Sequence, residues 1–546
     1  MKKQFIATAL LASMVLSLVG CSSAEPSASA PEETVSNAQV NPDEPAWKSN
    51  TDDDRELTWY LNLSWFTAQW GEDWTSAYIK EKTGFNIVCS APAGNEAERV
   101  NTMIASNTLP DIMTLGWYEP QVAEMIAADM LYPINELADQ YDPYFYQVAK
   151  QDILQWNEQA DGNVYGYNCF TTTASDLEES DEVYANRSFL VRKDLYEALG
   201  SPDMTTTEGF YNALKAAKEQ FPTLSDGNPI SPLGAMAFTD NGCDSFDAFL
   251  QDYLAIPYEV DGQFNDRRTD PEYLRWLKMF RQAYQDGLIS TDVFTDKSEA
   301  IGDKLSQGRY FATFFQWIDM QVQQQIRHDA DPEGIYIGVA GPKNSNGADP
   351  TLAAGSPNGW MTTMITKNCE EPDRAIQFFT YMISEEGMKD VTCGVPGKTY
   401  NDVDGKVVYT DEYLEILNSG NPENIKHGVS EYGYFQDDLV MLKNGWLQPT
   451  ADYIQVMREW TKDYTYYTAA YELPALDPDS TEAMDSAELD LLWGRTLPQL
   501  LTAESEEQFD QIYEDYVARR DTMGYEAVMA AKTELMNQNK ERLGIE

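Results

Sequence analysis

The sequence predicts an α/β protein of at least two lobes, with mostly parallel sheet covered by helices. Length is the first observation behind that expectation: beyond residue 54 about 490 residues remain, more than one hydrophobic core sustains. Composition is the second. The chain is 42% hydrophobic and 23% charged, with 13 Trp, 32 Tyr and 21 Phe, which is ample for packed cores. The third is order: the body opens with alternating strand and helix patterns, the signature of a parallel sheet flanked by helices.

Residues 1–20 read as a secretory signal peptide. Lys2 and Lys3 form a basic start, Phe5 to Leu18 an apolar run, and Leu18-Val19-Gly20-Cys21 a close of small residues before a cysteine. The run is too short and wrongly flanked for a membrane-spanning helix. Leu18-Val19-Gly20-Cys21 resembles the lipobox of bacterial lipoproteins, which implies that Cys21 carries lipid and begins the mature chain. Residues 21–54, rich in Ser, Ala, Pro, Glu and Asn, are expected to be a disordered tether, because they hold too little apolar surface to offset their ordering entropy. A flexible chain of this length reaches roughly 30 Å. The expected location is the extracytoplasmic face of a membrane.

Within the body, Leu57 to Leu63 reads as a strand. Trp74, Tyr78 and Ile79 recur at helical spacing, and Gly84 stands where a left-handed residue ends that helix. Phe85 to Val88 is a second strand, Glu96, Arg99 and Met103 mark a second helix, and Asp111 to Leu115 a third strand. Ligand contacts are expected at the carboxyl ends of such strands, here Asn62–Trp65 and Gly116–Glu119. Farther on, Thr205-x-x-Glu208 reads as a capping box for a helix with Phe210, Leu214, Ala217 and Phe221 on one face. Ser505-x-x-Gln508 reads as another, ahead of Phe509, Ile512, Tyr513, Tyr516 and Val517.

The formal charge of −52 argues against nucleic acid and anionic lipid head groups as partners and disfavours a strongly anionic ligand. Cys89, Cys169, Cys243, Cys369 and Cys393 follow no disulfide framework and no C-x-x-C spacing, so isolated buried thiols are expected. His328 and His427 are too few and too far apart for a histidine-based metal site or triad. No G-x-S-x-G elbow, P-loop or H-E-x-x-H is present. Neither a cofactor nor a metal is expected.

Several stretches, in order, resemble the extracellular solute-binding proteins of ABC importers, in the lipoprotein branch related to maltose-binding protein. They are Asn107-Thr108-Leu109-Pro110-Asp111-Ile112, Leu131-Tyr132-Pro133-Ile134, Asp161-Gly162-Asn163-Val164-Tyr165-Gly166 and Val191-Arg192-Lys193-Asp194-Leu195. Gly341-Pro342, Gly359-Trp360, Gly394 to Tyr400 and Gly524-Tyr525 complete the set. The resemblance runs from about residue 56 to the end. It implies a two-lobed periplasmic-binding-protein-like fold of type II, each lobe a mostly parallel sheet flanked by helices, closing on ligand by a hinge. The implied division is 55–168 and 338–392 in lobe one, and 169–337 with a helical 393–546 in lobe two. Chain crossings then fall near Asn168, near Ile337 and after about Met388. Partners implied are a two-subunit membrane permease and a cytoplasmic ATPase, with the receptor itself a monomer.

The family's calcium loop follows the helix that ends near Phe221. Here Thr223-Leu224-Ser225-Asp226-Gly227-Asn228-Pro229 supplies too few oxygen ligands, and no calcium is expected. Asp477-x-Asp479-x-Thr481 with Glu488 imitates an EF-hand loop but carries Glu482 where glycine belongs, and reads as a solvated helix start.

Carbohydrate receptors combine aromatic platforms with carboxylate and amide hydrogen-bonding groups. On that ground the candidate ligand contacts are Trp360, Trp317, Trp117, Trp65, Tyr167, Asp319, Glu119 and Asn62. Trp59, Trp276 and Trp493 sit in periodic patterns and are expected in cores, and Arg192 and Asp194 are read as structural. The expected function is capture of a neutral carbohydrate, an oligosaccharide, without chemistry on it. The alternatives are the same fold binding a peptide or other small solute, and a secreted glycoside hydrolase with paired carboxylates in an aromatic cleft.

Overall fold

The computed structural model describes residues 41–180, 183–224, 227–418, 426–447 and 450–545. Cys21 and the signal segment lie outside the described residues, as do Ser225 and Asp226 of the loop compared with the calcium site. Among the described residues no helix is long and apolar enough to cross a membrane, and no group of three or more His, Cys, Asp or Glu is placed to hold a metal ion.

The alternation at the start of the body becomes a five-stranded sheet in the order Asn86–Ser90, Glu56–Leu61, Ile112–Gly116, Met361–Ile365, Tyr167–Asn168. The first three strands are mutually parallel, with Trp59 opposite both Cys89 and Ile112. The helix Trp74–Thr83 between two of them starts at Asp73, whose carboxylate accepts from the Ser76 N–H. It ends at Gly84, left-handed at φ 75°. Met361–Ile365 runs against its neighbours on both sides. A second sheet has the order Tyr336–Gly338, Arg187–Arg192, Tyr310–Gln316, Ser231–Gly234, and here Arg187–Arg192 is the opposed strand.

The two sheets share one plan. The chain leaves the first by Tyr167–Asn168 at its edge and forms the opposed strand of the second. It leaves the second by Tyr336–Gly338, again an edge, and forms the opposed strand of the first. Each sheet has its own core. Trp59, Phe85, Phe378 and Tyr381 lie behind the first, and Phe189, Phe210, Trp276, Phe314 and Trp493 behind the second. Trp59, Trp276 and Trp493 are thus core residues, as their periodic settings predict.

Three expectations are corrected in detail, and one, the helix start after Asp477 and Asp479, is met. Residues 41–54 are not all tether: Trp47 on the turn Ala46–Ser49 is buried edge-on against Tyr381, and Arg55 joins Asp53, Glu371 and Asp373. The Ala46 N–H donates to Asp142, Asn50 donates to Gln377 and Arg374 donates to the Asp53 carbonyl, which together with the indole tie this short stretch to the core. The cap of the helix Thr207–Gln220 is Thr206, which accepts from the Gly209 N–H, while the Thr205 hydroxyl donates to Asp203. Asp477 and Asp479 precede the helix Thr481–Thr502, capped by Ser480. The segment after Cys393 stays with the first sheet, because Tyr432, Tyr434 and Phe435 pack on Trp59, Phe66 and Trp70, and Met441 and Trp446 pack beside Tyr400. Ala451 and Tyr453, then Ile454 and Met457, are the next residues to join the second sheet's packing, so the last passage falls between Trp446 and Ala451 rather than after Met388. The cysteines Cys89, Cys169, Cys243, Cys369 and Cys393 are buried and unpaired.

Candidate functional site

Three tryptophans converge on the carboxyl edge of the first sheet because of strand direction. Trp65 follows the strand Glu56–Leu61, and Trp117 follows Ile112–Gly116. Met361–Ile365 runs the other way with Met361 opposite Gly116, so its amino end brings Trp360 to the same edge. Buried Phe66, edge-on to Tyr432 and Tyr434, anchors the first loop and leaves Trp65 60% exposed. Gly359 turns the chain into Trp360 at φ 60°, and a Cβ there would stand 2.0 Å from the Cys169 carbonyl oxygen. Any side chain at 359 displaces that backbone. The Trp360 N–H donates to the same carbonyl at 3.0 Å.

Trp65 and Trp360 lie parallel within 3°, ring centroids 6.4 Å apart. A sugar ring held between two aromatic faces needs about 7–8 Å, two van der Waals contacts of ~3.5–4.0 Å. The gap is too narrow to hold a sugar ring, so the pair offers its exposed ring surface as a joint platform and not a sandwich. Trp360 is 37% exposed and is backed by Phe170 at 6.2 Å and Tyr434 at 6.0 Å. Phe170 takes a left-handed φ of 52°, a strained conformation for an aromatic residue, directly after the first chain crossing.

Beside the platform runs a chain of hydrogen bonds. The Tyr60 hydroxyl donates to Asn62 Oδ1 at 2.9 Å, and Asn62 Nδ2 donates to Glu119 Oε2 at 2.7 Å. The Gly116 N–H donates to Glu119 Oε1 at 2.8 Å. Burial raises the Glu119 pKa against the pull of those two donors. Its remaining lone pairs suit hydroxyl donors, whereas buried Asn62 is engaged through both ends of its amide. Trp117 is half-buried and edge-on to Tyr118 at 5.8 Å. Tyr118, 60% exposed, borders a cavity of about 630 Å³ between Pro120, Asn241 of the second sheet's loop, and Leu473 to Leu476.

Two expected contacts lie elsewhere. Trp317 is 8% exposed, donates its indole N–H to the Ala185 carbonyl at 3.0 Å, and has the Arg458 guanidinium 5.0 Å from its ring, among Leu190, Met320 and Met457. Its strand ends where expected, but the ring folds back into the core. Tyr167 is buried edge-on to Phe145, and its hydroxyl accepts from the Lys150 N–H at 3.3 Å. It is a packing residue at the crossing. Asp319, on the turn after Trp317, is exposed, and the surrounding protein raises its carboxyl pKa. Arg192 and Asp194 pair with each other, and Arg192 also donates to the Gly308 carbonyl, a structural role.

Sequence reasoning missed Tyr118, Phe170 and Tyr434. Tyr118 had a usable signal in its position beside Trp117 at a strand end. Phe170 and Tyr434 had none, since their place behind Trp360 depends on packing between distant segments.

Residues 63–389 match the family described as bacterial extracellular solute-binding protein. The chain is 23% identical over 346 residues to lipoprotein LipO of Bacillus subtilis strain 168, a match spanning 60% of this chain and 64% of that protein. In fold it is similar to the alginate-binding protein AlgQ2, with TM-score 0.68, 20% identity, and 89% of this chain and 98% of the other covered. It is also similar to FusA, an ABC-transporter substrate-binding protein of S. pneumoniae in complex with kestose. There the TM-score is 0.69 and the identity 16%, with 89% and 100% covered. These two are likenesses of a two-lobed fold. With a match across more than half its length, the chain belongs to the family of bacterial extracellular solute-binding proteins.

Proposed function

We propose that this protein is the carbohydrate receptor of an ABC importer, held outside the cytoplasmic membrane by a lipid on Cys21. It takes up an oligosaccharide with neutral rings against the Trp65–Trp360 platform, closes its lobes around it, and passes it to a membrane permease. The observation that carries this reading is the pair of exposed, parallel tryptophans beside Glu119 at the carboxyl edge of a sheet. Apolar sugar faces stack on such rings while hydroxyls donate to a carboxylate. The kestose bound to FusA and the alginate named for AlgQ2 support the ligand class.

Closure needs only a difference in affinity between open and closed states, without chemistry on the ligand. The test is a thermal-shift panel of oligosaccharides, monosaccharides and short peptides on the body from about residue 45. A ligand at a hundred times its Kd stabilises the fold by about 2.7 kcal/mol. A shift with a glycan series supports the reading, and shifts with peptides alone overturn it.

A further inference from the structure

The cavity of about 630 Å³ beside Tyr118 is walled mainly by aliphatic side chains. Ala483, Ala487 and Leu491 stand at i, i+4 and i+8 on one face of the helix Thr481–Thr502. Leu473 and Leu476 come from the segment ahead of that helix, and Leu535 from the helix Tyr525–Leu543. Leu473, Leu476, Leu491 and Leu535 are each half-buried, and among the described residues none of them belongs to a hydrophobic core. In a chain of formal charge −52, leucines gathered around one hollow and packed in no core form apolar surface that an apolar occupant would cover.

Two close backbone approaches fix the walls. A Cβ at Gly116 would stand 2.7 Å from Cζ of Tyr118, so that ring lies folded over the end of its own strand and is not a free arm reaching across the cavity. A Cβ at Gly494 would stand 1.8 Å from the Asp240 carbonyl oxygen, so the loop carrying Asn241 rests directly on the helix Thr481–Thr502. Polar groups gather on the side shared with a smaller cavity, which Phe264, Tyr471, Asp490 and Lys532 also line. There Asp490 is taken by Arg268 at 3.0 Å, and the Tyr471 hydroxyl donates to Glu259 at 3.4 Å. The leucine side offers a sugar hydroxyl no partner, and burying hydroxyls without hydrogen bonds is unfavourable. A further sugar ring is therefore a poor occupant.

We infer that this chamber binds an apolar substituent of the ligand, an aryl or alkyl group carried by the oligosaccharide in place of a further ring. The inference rests on the carbohydrate reading and deepens it. Tyr118 stands between Trp117 and Glu119 in one turn, so a glycan held by Glu119 has its substituent at the chamber's mouth. Tyr118 and Pro120 come from the first lobe and the leucines from the second, so closure of the lobes takes the group out of water between them. The volume lies within the roughly 300–1,000 Å³ of pockets that enclose small molecules.

The experiment is isothermal titration of the protein with the oligosaccharide selected by thermal shift, supplied as its methyl glycoside, as its phenyl glycoside and with a benzyl ether at the opposite end. One of the two aryl forms is expected to bind at least tenfold tighter than the methyl glycoside. Leu476→Asn and Leu491→Gln are each expected to abolish that gain while the methyl glycoside stays within twofold of wild type. No gain from either aryl form overturns the inference and leaves the receptor reading standing. A gain that both variants keep places the aryl group elsewhere and overturns the inference as well. Neutral N-phenyl-1-naphthylamine probes the chamber without any sugar. One fluorophore per chain, lost in both variants while they melt normally, is expected, and binding that both variants retain removes the chamber as its site. Fluorophore bound in the chamber of a protein that binds no oligosaccharide overturns the proposed function and leaves an apolar site whose occupant is not a glycan.

Discussion

Replacing Trp65 by alanine isolates the platform from the fold. A tryptophan presents roughly 250 Å², so 60% exposure leaves about 150 Å² of Trp65 open to a ligand. A sugar ring covers one face, about half of that. Removing about 75 Å² from water at ~25 cal/mol per Å² gives about 2 kcal/mol, or about 20-fold in Kd. The structural loss is small, because among the described residues the ring's one aromatic contact is Trp360. Such a pair contributes about 0.5–1.5 kcal/mol, which lowers Tm by less than about 3 °C in a domain of this size. Isothermal titration with the best oligosaccharide, beside calorimetric melting, measures both. An affinity within twofold of wild type removes Trp65 from the site. A Tm drop well beyond 5 °C makes it a core residue and refutes the reasoning.

Trp317→Ala is expected to behave oppositely, losing about 3–5 kcal/mol of stability as a buried large-to-small change while ligand affinity stays within a few-fold. Weak binding with unchanged melting would return Trp317 to the site. Gly359→Ala places a Cβ 2.0 Å from the Cys169 carbonyl at a left-handed φ. It should destabilise by at least about 1–3 kcal/mol and weaken binding by displacing Trp360, and wild-type melting with wild-type affinity contradicts this. Asp438 is exposed at a helix start, where the surrounding protein first, then the Asp437 charge, pushes its pKa up to about 6 from 3.8. The folded state thus binds this proton more tightly, and the associated stability, full below 3.8, is lost as pH rises through about 6. Asp438→Asn should therefore be more stable than wild type at pH 7, with the gap narrowing as pH falls from 6 to 4. A gap that widens toward acid pH refutes the assignment.

The strands and helices from 56 to 116 were legible because local signals agree there: apolar alternation, Gly84 as a left-handed stop, and a turn after each strand. Trp360 was legible for a similar reason, as a glycine-tryptophan pair heading a strand. Trp317 had an equally good strand-end position, but whether its ring faces cleft or core depends on Ala185 and Arg458, far away in the chain. The misplaced last crossing has the same origin. Nothing local in Tyr432 to Phe435 says that these rings fill the space around Trp59 and Trp70. Thr205 and Thr206 were indistinguishable as caps until Asp203 claimed one of them.

The most direct measurement is a titration of the intact folded body with the oligosaccharide selected by thermal shift, followed by analysis of the recovered glycan. Saturable binding of one glycan per chain, weakened about 20-fold by Trp65→Ala, with the glycan returned intact, is the predicted result. Cleaved glycan, or saturable binding shown by peptides and by no carbohydrate, contradicts a carbohydrate receptor built on that platform.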